Sequence, residues 1–130
     1  MSNKIHASLA GMISGDPAQA MEIAKSIISG GISVSPKMLG QLAGDERQLK
    51  WTRIAAIYSL GFLGNRKFLP ELRAILSNDQ LDDEVRSYAA EALGNIRDKD
   101  AVGLLREVIR KHPRGELLDS CNYALNELNA

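Results

Sequence analysis

Two histidines and one cysteine are the residues of this chain best suited to metal binding or nucleophilic catalysis. His6 and His112 lie near opposite ends of the sequence, and neither belongs to an H-E-x-x-H pair that could hold zinc on one helix face. Cys121 lies on the face of its predicted helix that we expect to be buried, and no base is indicated beside it. These residues predict no catalytic constellation.

A run of acids, Asp79-x-x-Asp82-Asp83-Glu84, is a second candidate for metal chemistry. It lacks the alternating ligands and the central glycine of an EF-hand loop. Acids directly before Val85 favour the amino end of a helix, because they interact well with the helix dipole. We therefore expect no metal and no cofactor.

Basic residues form the third candidate, a surface for nucleic acid. Several fall in the middle and the last third of the chain: Lys50, Arg66, Lys67, Arg73, Arg106, Arg110, Lys111 and Arg114. The whole chain, however, balances 16 basic against 16 acidic residues, so no overall field attracts a phosphate backbone. Nucleic-acid binding stays an alternative, and a protein partner is favoured over it.

The elements that must position these side chains are all helices. A length of 130 residues and 45% hydrophobic residues suit one globular domain.

No window is long and apolar enough to span a bilayer, and the amino terminus lacks a signal-peptide layout, which predicts a cytoplasmic protein. Apolar spacing and helix-end signals predict the helices Lys4–Ile13, Pro17–Ser29, Lys37–Ala43, Asp45–Leu63, Leu69–Ser77, Asp82–Ile96, Ala101–Lys111 and Gly115–Leu128.

A repeat of 33 residues relates the stretch 51–72 to the stretch 82–105. Arg53 aligns with Arg86, Leu60 with Leu93, Gly61 with Gly94 and Leu72 with Leu105. A fixed period of this size is typical of stacked helical repeats. The ankyrin T-P-L-H signature is absent. Arginines stand where a tetratricopeptide repeat needs a small residue, so neither of those repeats fits.

The stretch 82–105 resembles the short HEAT-like repeat named after phycobilin lyases, with its pattern V-R-x-x-A-A-x-A-L-G. The resemblance implies an all-α fold, a short right-handed α-α superhelix of the HEAT-like or armadillo type, built from antiparallel helix pairs with capping helices. It predicts a single domain over 1–130 with an amino-terminal cap, a degenerate repeat, two full repeats and a carboxy-terminal capping helix, over residues 1–15, 16–44, 45–78, 79–112 and 113–130.

The repeated arginines and glycines are interpreted as structural. In the family, arginines at the positions of Arg53 and Arg86 pair with acids at neighbouring repeat ends, and Asp82, Asp83 and Asp98 are candidate partners. Gly61 and Gly94 are expected where a side chain would collide with the paired helix or its turn.

The second helix of each pair is expected to line a concave face that binds a protein. Arg73 and Arg106 occupy equivalent places there and are predicted to be free for a partner, together with Glu71, Glu107 and Arg110. The chain is therefore predicted to be a non-enzymatic adaptor, scaffold or inhibitor. A lyase-like subunit acting on a tetrapyrrole-protein substrate and a nucleic-acid-binding protein are the alternatives. Deoxyhypusine hydroxylases hold iron with His-Glu pairs on a HEAT-like scaffold, and this sequence has no such pair.

Overall fold

The computed structural model describes residues 16–130, and every regular element in that range is a helix. Two short 3-10 turns, at 66–68 and 99–101, lead into the helices that follow them. The predicted helix Lys4–Ile13 lies outside the described residues. Residues 16–130 form seven α-helices: α1 (Pro17–Ser29), α2 (Pro36–Gly44), α3 (Lys50–Leu63), α4 (Leu69–Ser77), α5 (Asp83–Ile96), α6 (Val102–Lys111) and α7 (Glu116–Glu127).

Local end signals fix the first two described helices as the sequence predicts. The Asp16 carboxylate accepts a hydrogen bond from the Ala18 amide at 3.0 Å, and a proline opens α1. Gly30 ends that helix in the left-handed conformation, with φ of 88°. The Ser35 hydroxyl accepts from the Met38 amide at 3.2 Å at the start of α2.

The predicted start of the third described helix at Asp45 is wrong, since α3 begins at Lys50. The Asp45 carboxylate accepts hydrogen bonds from the Arg47 amide and guanidinium and from the Gln48 side chain. Those bonds, the Arg47 side chain first, hold the pKa of Asp45 well below its usual range. An aspartate that bonds the backbone two residues ahead favours a turn over a helical start.

The chain divides into two compact units, residues 1–63 and 64–130, so that the division falls within the predicted repeat 45–78. In the described part of the first unit, α1 and α2 both pack against α3. Ile54, Ile57 and Leu60 of α3 are fully buried and contribute to a core with Leu39 and Ala24. The proposed subdivision into repeats stays a prediction.

The second unit holds the remaining four helices. Helix α4 packs on α5, α6 packs on α7, and α5 and α7 share the most extensive contact. Its core contains the buried side chains Leu72, Leu76, Leu93, Leu105 and Leu117. Within residues 16–130, no helix has the length and apolar character needed to cross a membrane.

Candidate functional site on helices α5 and α7

The two repeated arginines, Arg53 and Arg86, each bond to a backbone carbonyl at an equivalent position. Arg53 is buried, and its Nε donates to the Ala43 carbonyl at 3.0 Å; Arg86 is buried, and its Nε donates to the Leu76 carbonyl at 2.9 Å. Both acceptors lie in the last turn of the preceding helix, where carbonyls lack partners within the helix. Each arginine therefore satisfies and neutralises the carboxyl end of a helix.

Arg86 also has side-chain partners. Its guanidinium lies 3.3 Å from an Asp79 oxygen and 3.9 Å from an Asp83 oxygen. It also lies 3.2 Å from Nε2 of His112. Because arginine can only donate, that imidazole nitrogen accepts, and the His112 proton is on Nδ1. Of the predicted acids, Asp83 is in reach, whereas Asp98 binds a different arginine.

That other arginine is Arg73, which the sequence predicted to be free for a partner. Its Nε and Nη2 donate to the two carboxylate oxygens of Asp98 at 2.6 and 2.8 Å. Asp98 is fully buried and also accepts from the Asp100 amide at 3.2 Å. The prediction of a free Arg73 is wrong, because a buried carboxylate must be paired and Arg73 pairs it bidentately.

The other residues of the predicted binding row are at the surface. Arg106 and Glu71 are exposed. The Arg110 guanidinium donates to the Glu107 carboxylate of the same helix at 2.6 and 3.2 Å, so the two side chains form an ion pair with each other. Their assignment as contacts to a protein stays a prediction.

Gly94 marks a close contact between α5 and α7. A Cβ atom placed on Gly94 would lie 2.7 Å from the Cα and 3.0 Å from the Cβ of Ala124. The sequence prediction assigned this approach to the paired second helix or its turn, whereas the structure assigns it to α7. Gly61, at the equivalent position of α3, is buried. The contact at Gly94 brings the side chains that flank it on the two helices together.

Those flanking side chains form a polar group that sequence analysis missed. Its members are Glu91 and Asn95 on α5 and Glu116, Ser120 and Tyr123 on α7, named here the carboxylate cluster. The Tyr123 hydroxyl donates to Oδ1 of Asn95. Ser120 lies close enough to Glu91 to influence the pKa of its carboxyl. The four-residue spacing of Glu91 and Asn95 is the sequence signal that could have identified the cluster.

The electrostatics of the carboxylate cluster are unfavourable for negative charge. Burial, and after it the charge of Glu116, raise the pKa of the half-buried Glu91, while the Ser120 hydrogen bond opposes them. Burial, followed by the charges of Glu127 and Glu91, raises the pKa of Tyr123. Carboxylates with perturbed pKa values are typical of binding and catalytic sites as well as of ion-pair networks.

The residues suited to metal or nucleophilic chemistry are not brought together. Between residues 16 and 130, no three His, Cys, Asp or Glu side chains are arranged to hold a metal ion. His112 faces Arg86, and His6 lies outside the described residues. Cys121 is buried, as expected, and burial raises the pKa of its thiol to about 11. The described residues therefore do not fit the iron centre of the hydroxylases mentioned above.

A family model described as HEAT repeats matches residues 36–126. The chain belongs to the HEAT repeat family. This match and the helices of residues 16–130 confirm the predicted all-α solenoid class. The narrower phycobilin-lyase type stays a prediction.

Curated relatives of this HEAT repeat chain are named deoxyhypusine hydroxylase. The Kluyveromyces lactis protein is 33% identical over 90 residues, which cover 69% of this chain and 27% of that protein. The Saccharomyces cerevisiae protein is 33% identical over 72 residues, which cover 55% of this chain and 22% of that protein. Deoxyhypusine hydroxylase-B of Oryza sativa is 33% identical over 73 residues, which cover 56% of this chain and 24% of that protein. The chain thus spans about a quarter of these relatives, and no solved structure matches it.

These relatives contradict the prediction of a non-enzymatic adaptor, because they are named for an enzyme. The two alternatives, a lyase-like subunit and a nucleic-acid-binding protein, do not agree with that name either. The prediction rested on the absence of a catalytic constellation from the sequence, and the missing His-Glu pair was one part of that argument. The similarity to the hydroxylases does not depend on such a pair.

Proposed function

We propose that this chain contributes to a deoxyhypusine hydroxylase activity and that its repeats bind the side chain to be hydroxylated. The observation that carries the proposal is the shared name of relatives from fungi and plants, at 31 to 35% identity. The chain spans about a quarter of the length of those proteins. We therefore assign it the binding of the substrate, and we place the oxidising step on none of its described residues.

The chemistry of the substrate supports this assignment. Deoxyhypusine is a lysine extended by an aminobutyl group, and alkyl amines of this kind are protonated at neutral pH. A surface that binds such a side chain needs carboxylates at a depth where water screens them weakly. Glu91 is half-buried and has Glu116 as its neighbour, and a bound ammonium group would favour the charged form of both carboxylates.

Deletion of the gene for this chain in its own cells tests the proposal. We expect protein-bound deoxyhypusine to accumulate and its conversion, seen in mass spectra as the gain of one oxygen atom, to fall. Re-expression of the full chain restores the conversion. Unchanged conversion in the deleted cells contradicts the proposal, as does the absence of deoxyhypusine from those cells.

A further inference from the structure

The turn after α3 and the turn after α5 have the same local structure. In the first, the Asn65 side chain accepts a hydrogen bond from the Lys67 amide at 2.9 Å. In the second, the Asp98 carboxylate accepts one from the Asp100 amide at 3.2 Å. Each turn continues as a 3-10 turn that leads into the next helix. Residues of the two turns that are 33 positions apart are therefore equivalent in structure as well as in sequence.

Arg97 occupies the position at which the other turn has a glycine. The backbone φ is 69° at Gly64 and 62° at Arg97, a left-handed conformation that glycine adopts freely and that other L-residues rarely adopt. The Arg97 and Asp98 amides donate to the carbonyls of Gly94 and Leu93 at 3.0 and 2.9 Å, which closes the end of α5. The helix end therefore needs the left-handed conformation, and it does not need an arginine side chain.

The Arg97 side chain has no structural role that explains its presence. A positive charge is favourable at the carboxyl end of a helix, but Arg66 already supplies one, because its Nη1 donates to the Ile96 carbonyl at 2.8 Å. Within residues 16–130, the Arg97 guanidinium forms no ion pair and no hydrogen bond of its own. A residue held in a sparsely populated backbone region indicates a functional constraint on its side chain.

The contact of Arg66 with the end of α5 brings the basic residues of both turns to one surface. All four are exposed, and they are named here the turn surface: Arg66, Lys67, Arg97 and Lys99. The two acids of these turns do not balance them. Asp98 is fully buried and paired with Arg73, and Asp100 is the one exposed acid in the two turns. The turn surface therefore carries an excess of positive charge.

The surroundings favour carboxylates of a protein over a phosphate backbone as the partner of this surface. The whole chain balances 16 basic against 16 acidic residues, so no overall field attracts a polyanion. Asp100 lies in the same turn as Lys99 and would repel a continuous row of phosphates. A protein segment can place a basic or neutral residue at that point and carboxylates beside it, and the planar guanidinium of arginine pairs well with a carboxylate.

We propose that the turn surface binds a protein segment rich in aspartate or glutamate, and that Arg97 is retained in its left-handed position for this contact. The turn surface shares no residue with the carboxylate cluster. The inference does not rest on the proposed function, and it can be tested with simple peptides.

A nuclear magnetic resonance titration of the isotope-labelled full chain with an oligoglutamate peptide, at an ionic strength of about 0.15 M, tests the surface. We expect shifts centred on residues 64–68 and 96–100, and none with an oligoglutamine peptide of the same length. A single-stranded oligonucleotide of similar length is the phosphate arm. The proposal is overturned if oligoglutamate causes no localised shift, or if the oligonucleotide binds the same residues more tightly.

The variant Arg97→Gly separates binding from folding. It is expected to weaken oligoglutamate binding at least about threefold, because one charge pair is lost. Its melting temperature is expected to equal or exceed that of the wild type, because glycine adopts this backbone conformation without strain. Arg114→Gly removes an exposed positive charge at the other end of α6 and is expected to keep the affinity. A lower melting temperature of Arg97→Gly, or an unchanged affinity, overturns the role given to Arg97.

A charge reversal in both turns tests whether they act as one surface. Lys67→Glu combined with Lys99→Glu is expected to weaken oligoglutamate binding at least about tenfold, because two attractive charges become repulsive. Both residues are exposed, so the helical content seen by circular dichroism is expected to stay the same. An unchanged affinity of this folded double variant overturns the proposal.

Discussion

The first helices of two successive predicted repeats, α3 and α5, agree at one set of positions and differ at another. Arg53 and Arg86 each donate to the carbonyl ten residues earlier. The rings of Tyr58 and Phe62 of α3 contact each other in a tilted arrangement with centroids 4.7 Å apart, whereas the equivalent positions of α5 are Glu91 and Asn95. Because the repeated positions hold the helix pairs together, the positions that differ are where function specific to this chain is expected.

The largest expected effect concerns the close contact at Gly94. Gly94→Leu is predicted to lower the free energy of unfolding by about 3 kcal/mol or more, because even a Cβ would contact the Ala124 backbone. Chemical denaturation measures the change. Gly103→Ala is the matched control: its Cβ meets no atom within 4 Å, and it is expected to stabilise α6 by up to about 1 kcal/mol. Similar stabilities for the two variants would contradict the close contact.

The two repeated arginines are the next test of the comparison. Arg86→Ala and Arg53→Ala are each predicted to cost about 2 kcal/mol or more, since each leaves a helix-end carbonyl without its buried donor. Arg86→Ala is expected to cost more, because it also leaves Asp79 and His112 without their partner. If one variant destabilises and the other leaves the denaturation midpoint unchanged, the equivalence of the two arginines fails.

Arg73 and Arg106 occupy equivalent positions of successive repeats, but their surroundings in the structure differ. Arg73→Glu is predicted to cost about 3 kcal/mol, because it removes the partner of a fully buried carboxylate and adds a second negative charge beside it. Arg106→Glu changes an exposed residue and is expected to stay within about 0.5 kcal/mol of the wild type. Thermal unfolding of both variants checks the difference, and equal melting temperatures would show that the Arg73–Asp98 pair adds no stability.

The smallest expected effect is the pH dependence caused by Glu91. Its pKa is raised in the folded state, so the folded state binds the proton more tightly than the unfolded state does. The contribution of Glu91 to stability therefore falls as pH rises from the ordinary glutamate value, about 4.3, through the raised value. Glu91→Gln is predicted to remove this decline in denaturation series run from about pH 4 to about pH 7. An identical pH profile for the variant and the wild type would contradict the perturbed carboxyl.

The sequence predicted those parts of the fold that depend on local signals and on the period. Asp16-Pro17 and Ser35-Pro36 predicted two helix starts, because the capping bond and the first-turn proline are set within a few residues. The 33-residue alignment of Arg53 with Arg86 predicted equivalent structural roles, and both side chains are buried. The predicted helix start at Asp45 was wrong, because an aspartate carboxylate can accept a backbone hydrogen bond either at the start of a helix or within a turn.

The candidate site could not be predicted in the same way. Arg73 and Asp98 are 25 residues apart, and no periodicity indicates that a residue of α4 pairs with the turn after α5. The carboxylate cluster depends on the register between α5 and α7, which Gly94 sets by contact with Ala124. Each of its members alone resembles an ordinary polar surface residue. The expectation of a non-enzymatic protein was argued from the absence of a catalytic constellation, and the hydroxylase relatives contradict it.

The most direct measurement is calorimetric binding of a deoxyhypusine-containing peptide to the full chain, beside the same peptide with unmodified lysine. We expect tighter binding of the deoxyhypusine peptide, and we expect Glu91→Gln to weaken that binding at least about tenfold. Equal affinity for the two peptides, or an affinity that Glu91→Gln leaves unchanged, would contradict the claim that the carboxylate cluster recognises the substrate amine.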